Sequence, residues 1–414
     1  MNPINNDVEQ TAAHLFRESS GKMVAYLSKR YGLYQLENIM DTVQETFESA
    51  LKHWRYKGIP RKPEAWLLTT AKNKLLNTLK REQLYNDIES YLVYDEILLP
   101  DEKEINDSQL QLLLFICGLD LAPKSQIIFT LYTLCGFGVP EIANALLMNN
   151  EAVKKNIFRS KQSLQDQKFD LDNSLKTIKN IDQLHLILYL MFNEGYKTTR
   201  DNEGLNIDLC YEAIRLNKLL LIQTKENGDT CALLAMMFFN IARFPARISS
   251  DNNWISLEQQ DRSLWNSNYI KEGFYYLQKA RTSQQLSKYH LEATIASLHC
   301  TATDFKTTDW IKIIYLYEQL ERLEGFSLLL TLNKTIALSY VKPSSNLLVD
   351  LDLLAPQLKQ ENLLFFYLAK AHLHYSLHQP MAAIKNYQIA YGYALSAIDK
   401  QFILQKIDDN KTEI

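Results

Sequence analysis

Residues 137–164 read FGVPEIANALLMNNEAVKKNIFRSKQSL, in which closely spaced cations ride on apolar positions three and four apart. That pattern suits the holding of phosphates rather than covalent chemistry. Pro140 and Glu141 open a short helix whose apolar face carries Ile142, Ala143 and Leu146. Met148-Asn149-Asn150 makes a turn, and Asn149 or Asn150 can cap the helix that follows. Val153, Ile157 and Leu164 seat that second helix, while Lys154, Lys155, Arg159 and Lys161 are expected to point outward. Small Ala143 permits the close crossing of a helix-turn-helix, whose second helix enters the DNA major groove. The cations would pair with phosphates there, and Asn150, Lys154 or Asn156 would reach base edges. An ordinary helical hairpin with a solvated basic face accounts for the same letters.

A second constellation lies upstream. Between residues 52 and 81 there are nine cations and one anion, Glu64, with Trp54, Tyr56 and Trp66 interleaved. Aromatic faces beside cations are what unstacked single-stranded bases require, although core tryptophans under a basic surface would read alike. Residues 82–107 reverse the sign, with nine anions against Lys103 alone. A third block, Lys154, Lys155, Arg159, Lys161 and Lys168 against Glu151 and Asp166, is basic again. The net charge of −3 over 414 residues is therefore a cancellation between segments, not evidence against nucleic acid.

These groups need elements to hold them. Twelve Gly and ten Pro are few for a turn-rich chain, alternating strand patterns are scarce, and helical spacing recurs, so the expectation is an all-α fold. Leu36, Ile39, Met40, Val43, Phe47, Ala50, Leu51 and Trp54 form one stripe, with Asp41, Gln44, Glu45 and Glu48 facing away from it. Trp66, Leu67, Thr70, Leu75, Leu76 and Leu79 mark a second helix, with Pro63 near its start. The acidic stretch reads as a linker. No run approaches the ~18 apolar residues of a membrane span, and the first residues carry no signal-peptide pattern. Five Cys without CxxC spacing fit reduced thiols, and the expected location is the cytoplasm.

The order of these segments resembles that of bacterial extracytoplasmic-function sigma factors. HLFRESSGKMVAYLSKRYG (14–32) and DTVQETFESALKHW (41–54) resemble the first helices of sigma region 2, and KPEAWLLTTAKNKLLNTLKRE (62–82) its promoter −10 segment. Residues 121–164 resemble region 4. LMFNEGY, LCYEAIRL, ARFPARI, LEQQDRSLW and TDWIKIIYLYEQL are similar to the TPR-like C-terminal extension of one subgroup. The resemblance implies region 2 over 1–82, an acidic linker over 83–107, region 4 over 108–170 and a regulatory domain over 175–414. It implies that Asp41, Gln44, Glu45 and Glu48 meet core RNA polymerase, whose β′ clamp and β flap are the expected docking sites. It places Trp66, Lys72, Asn73, Asn77, Lys80 and Arg81 at the −10 element, and Asn150, Lys154, Lys155, Asn156, Arg159 and Lys161 at the −35 element of promoter DNA. Three departures bear on promoter sequence and on thiol chemistry. Ile116-Cys117-Gly118-Leu119 stands where relatives have a Cys-Cys-His-Pro-like run, Asn77 where many have Asp, and Asn156 where a basic residue is common.

In the C-terminal half, Ala383-x3-Tyr387-x2-Ala390 and, more loosely, Gly273-x3-Leu277-x2-Ala280 have the small–aromatic–small spacing of a TPR second helix. Asn193-Glu194-Gly195-Tyr196 reads as a helix end with Gly195 as a left-handed cap. Asp261, Arg262 and Trp265 suggest a charge pair under an aromatic lid, in structural or interdomain use. His374 and His378 stand four apart, as on one helix face, but no third ligand is near, so no metal site is expected. His299-Cys300 is likewise isolated. No phosphate loop, nucleophile elbow or carboxylate pair stands out, so the reading is a non-enzyme without cofactor. A regulatory protein or ligand on the C-terminal domain is the remaining expected partner. The alternative function is a helix-turn-helix regulator with a TPR-like sensor, acting without core polymerase.

Overall fold

The structure, a computed structural model, describes residues 3–81, 102–146, 148–165, 181–197, 204–224, 226–249, 253–283 and 285–412. Among these residues there are nineteen α-helices and no β-strand, so the fold is all-α. A single bridge pairs Ile248 with Trp254. The chain divides into two compact units, Met1–Met191 and Phe192–Ile414.

In the first unit, α1 (Pro3–Tyr31), α2 (Leu36–Lys57) and α3 (Pro63–Arg81) pack on one another. The stripe of α2 is the reason. Leu36, Ile39, Val43, Phe47, Ala50 and Trp54 are all buried, and Gly58 ends the helix at φ 76° with its N–H on the Trp54 carbonyl. Helix α3 buries Leu67, Ala71, Leu75 and Leu79, a strict four-residue row. Helices α4 (Glu102–Gly118), α5 (Pro123–Thr133), α6 (Val139–Ala145) and α7 (Asn150–Gln165) follow, with α4 packed on α1 and α7 on α5 and α6. Gly21 on α1 makes one of these approaches possible, since a Cβ there would lie 1.8 Å from the Leu134 carbonyl oxygen. The acidic stretch expected as linker becomes helical at Glu102; most of it, 82–101, lies outside the described residues.

Helix α8 (Ile181–Tyr196) leads to α9 (Ile207–Gln223), α10 (Gly228–Ile241) and the single turn α11 (Phe244–Arg247). Helix α10 is buried almost all round, because α9, α12 (Ser267–Ala280) and α13 (Lys288–Thr301) all pack on it. Then come α14 (Trp310–Glu324), α15 (Leu328–Val341), α16 (Ser345–Leu354), α17 (Leu363–Ser376), α18 (Pro380–Tyr393) and α19 (Ala397–Lys411). They pack in successive pairs over three small cores, one of them built on Ala383, Tyr387 and Ala390. Side-chain caps punctuate the series: Asn206, Asn227, Asn266, Asp309, Ser344 and Ser396 each accept from a first-turn N–H.

Two local expectations are corrected. Gly195 is not a left-handed cap, being absent from the residues with positive φ and lying within α8. Its role is close approach, because a Cβ would stand 2.7 Å from Cys210 Sγ and 2.8 Å from the Asn206 carbonyl oxygen. His374 and His378 do not share a helix face either. Helix α17 ends at Ser376, His378 turns away at φ 55°, and His374 Nδ1 bonds Gln379 Oε1 at 2.8 Å.

Candidate nucleic-acid interface and C-terminal motif cluster

The burial of α2 on one side leaves Asp41, Gln44, Glu45 and Glu48 exposed on the other. Two of these carboxylates have partners inside the first unit. Lys74 on α3 reaches Glu45 at 3.5 Å, and Lys161 on α7 reaches Asp41 at 3.4 Å. Beyond them, Lys52, Arg55, Tyr56 and Lys57 crowd the exposed end of α2. Tyr56 is 90% exposed, a large apolar ring kept in water amid cations. Trp54, by contrast, is fully buried and belongs to the core. Trp66 is half-buried, stacked on exposed His53 at 5.5 Å and edge-on to Trp54 at 5.6 Å. Along α3, Asn73, Asn77, Lys80 and Arg81 are exposed on the side opposite the buried row, and Lys72 is half-buried. The basic–aromatic surface is thus made by one end of α2 and the outer side of α3.

Helix α7 is started by Asn149, whose Oδ1 accepts from Ala152 N at 2.8 Å. Val153 and Ile157 are buried, which turns Asn150, Lys154, Lys155, Phe158 and Arg159 to solvent. Side-chain details of Leu164 lie outside the described residues. Glu151 beside Lys154 makes a 2.9 Å pair, and the lysine's hydrogen bond holds the Glu151 carboxyl below its usual range. Two residues of the expected −35 set point elsewhere. Asn156 accepts from Ser125 Oγ at 2.8 Å and donates to the Ala152 carbonyl at 2.8 Å, so it fastens α7 to α5. Lys161 keeps only 18% of its side chain exposed, in its reach to Asp41. Both follow from the helical period, which brings positions 153, 156, 157, 160 and 161 round to the packed side.

The C-terminal motifs meet in one place in the second unit. Arg247, 9% exposed, lies over the Tyr196 ring at 3.5 Å and over Trp254 at 4.8 Å, while its Nη1 donates to the Tyr196 carbonyl at 2.8 Å. Burial pushes it down to about 10, still charged near neutrality. Tyr196 also stacks with Phe192 and with Phe244. Arg262 donates to the carbonyls of His299 and Ala302 and to Thr308 Oγ1, so it caps the C-terminal end of α13 where the dipole is negative. The expected Asp261–Arg262 charge pair is not formed. Asp261 is exposed and accepts from the hydroxyl and N–H of Ser263, which hold its carboxyl below its usual range. The aromatic lid exists, however: Trp265 lies 4.9 Å from Arg262 and 5.4 Å from Arg243. Glu194 is buried and Asn193 gives its carbonyl to the Lys197 N–H. Sequence reasoning missed Arg243, Arg247 and Gln260 as members of this cluster. Their signal was two arginines four apart in an otherwise apolar ARFPARI run.

Residues 16–85 match the family model for sigma-70 region 2, which covers α2, α3 and the surface they form. The chain belongs to the extracytoplasmic-function sigma factors that carry a C-terminal extension. Within that extension, residues 180–281 match a family of unknown function, DUF6596, and this span contains Tyr196, Arg243, Arg247, Arg262 and Trp265, while the residues that accept from Arg262 lie beyond it. An uncharacterized protein of Rhizobium meliloti (strain 1021), R00370, is 32% identical over 318 residues, which covers 72% of this chain and 74% of the relative. No solved structure matches the chain significantly. Among the described residues of this sigma factor, no helix is long and apolar enough to cross a membrane.

Proposed function

We propose that this sigma factor binds core RNA polymerase and directs promoter-specific initiation, and that its C-terminal unit controls that activity. One observation carries the reading: within the region 2 match, α2 and α3 turn a carboxylate face and a separate basic–aromatic face to solvent. A carboxylate face suits a basic helical surface of polymerase, and charge complementarity there sets encounter rate and register. In this reading Asp41, Gln44, Glu45 and Glu48 make that contact. Trp66, Lys72, Asn73, Asn77, Lys80 and Arg81, joined by Tyr56, receive the melted −10 strand by stacking and phosphate pairing. Asn150, Lys154, Lys155 and Arg159 serve the −35 element. Asn156 positions α7 instead of reading bases.

The test is run-off transcription with purified protein and bacterial core polymerase on promoters identified by start-site mapping. Shared −35 and −10 elements upstream of the mapped starts are the expected result. Tight operator binding with no polymerase association would replace the proposal with a helix-turn-helix regulator. Truncation at residue 175 should change promoter output; unchanged output removes the control role.

A further inference from the structure

The pair α14–α15 and the three helices α17–α19, together with the short turn Leu257–Gln259, line a half-open cavity of about 700 Å³ within the second unit. That volume falls within the range of small-molecule sites. Its wall is built of rings. Tyr340 packs with Trp310 at 4.6 Å, Phe305 at 4.9 Å and His372 at 5.1 Å, and Tyr387 and Phe402 line the facing side.

The charges around these rings have one sign left over. Glu258 enters from the turn, is exposed, and has no ion-pair partner among the described residues. Asp409 is matched by Lys406 at 3.8 Å, and Lys406 also lies over Phe402 at 5.8 Å. Both histidines of the wall are neutral near pH 7. Burial pushes His299 down to about 3 and His372 down to about 4. Arg243 and Arg262 stand behind His299 but do not line the cavity, and their guanidiniums are engaged with Gln260, Trp265 and helix-end carbonyls. An anion would therefore meet an unmatched carboxylate and no free cation, whereas ring faces and a carboxylate both attract positive charge. The phenols agree: burial first, with the Glu258 carboxylate contributing, holds the hydroxyls of Tyr340 and Tyr387 protonated.

We infer that this cavity binds a small organic cation, an amine with an apolar or aromatic body, seated on the ring faces with its ammonium toward Glu258. The inference is independent of polymerase binding, and its test uses neither polymerase nor DNA. The full-length protein is titrated calorimetrically with phenethylamine, with phenethyl alcohol of the same shape, and with phenylacetate. Phenethylamine should bind at least about tenfold more tightly than the alcohol, and phenylacetate should give no heat. Glu258→Gln, an exposed substitution, should remove the preference for the amine and leave the alcohol unchanged. Tyr340→Leu, with an unchanged helical signal, should weaken both. Phenylacetate binding as well as the amine, an unaltered preference in E258Q, or no amine binding up to 10-millimolar order would overturn the inference. So would tenfold tighter binding of the peptide Gly-Lys-Phe-Gly, which would assign the cavity to a protein side chain.

Discussion

Arginine and lysine are used in opposite ways in the two units. In the first, Lys154, Lys155 and Arg159 stand in water on the outer side of α7, where Lys154 makes a surface pair with Glu151 of its own helix and none of the three holds another element. In the second, Arg247 and Arg262 turn inward, lie over rings and donate to backbone carbonyls. Outward cations cost the fold little and remain available to a polyanion; inward ones hold elements together and have few donors left. Charge alone does not separate recognition from architecture. What separates them is whether the helical period carries the residue toward or away from the buried row.

The largest expected effect is on the outward set. Charge reversal at three positions, K154E/K155E/R159E, should lower promoter-dependent transcription by about 100-fold or more, because each lost phosphate contact also removes a counterion-release contribution. Thermal stability should stay within about 0.5 kcal/mol, as for surface substitutions generally. Run-off assays over a salt series beside a denaturation curve measure both. A large fall in stability would place these residues with the inward class and break the comparison.

The inward set should respond in the reverse sense. Arg262→Met leaves the carbonyls at the end of α13 without their donor and should cost the second unit about 2–3 kcal/mol. Arg247→Met should cost a similar amount through the Tyr196 carbonyl and the ring stack. Urea midpoints read this directly. A stable R262M protein with altered ligand response would move Arg262 from architecture to recognition.

Much of this was legible in the letters, and the failures share a cause. Most of the apolar row of α2, Leu67, Leu75 and Leu79 of α3 and the Ala383–Tyr387–Ala390 spacing are local periodicities realised as packed faces, and the cap at Asn149 is a local hydrogen bond; Met40, Leu51, Trp66, Thr70 and Leu76 are only half-buried. The misread residues depend on distant segments. Gly195 is explained by Cys210 and Asn206 across a helix crossing, and Asn156 by Ser125 on another helix. Arg262 looked paired with its neighbour Asp261 but bonds residues 37 to 46 positions away. A single sequence displays i,i+4 relations well and says little about which carbonyl a buried guanidinium will find. That Tyr340 and Tyr387 border a cavity is likewise visible only once the helix pairs are assembled.

Acidification offers a middling test of the second unit alone. His299 and His372 sit at about 3 and about 4 when folded, and return to their ordinary 6.5 on unfolding. From pH 6.5 down toward 4 the unfolded chain therefore takes up protons that the folded unit does not. Stability falls over that window and is fully present above it, by an amount on the order of 1–3 kcal/mol after allowance for partial exposure. Urea midpoints at pH 7.5 and 4.5 report it, and H299N/H372N should flatten the difference. An unchanged slope would mean that these rings are open to water.

The smallest effect decides the residue that straddles the comparison. Lys161 belongs by position to the −35 set, yet its side chain is mostly covered and directed at Asp41, itself one of the exposed carboxylates of α2. A double-mutant cycle between K161A and D41A should give a coupling of about 0.2–1 kcal/mol, the range of partly exposed ion pairs. The coupling should shrink in high salt, since Asp41 is open to solvent. K161A should then leave the salt slope of promoter binding unchanged, where K154A lowers it by about one ion. Zero coupling together with a lowered slope would return Lys161 to the outward class. In the proposed polymerase complex Asp41 is taken up by polymerase and this contact is lost, so K161A should leave the stability of that complex unchanged.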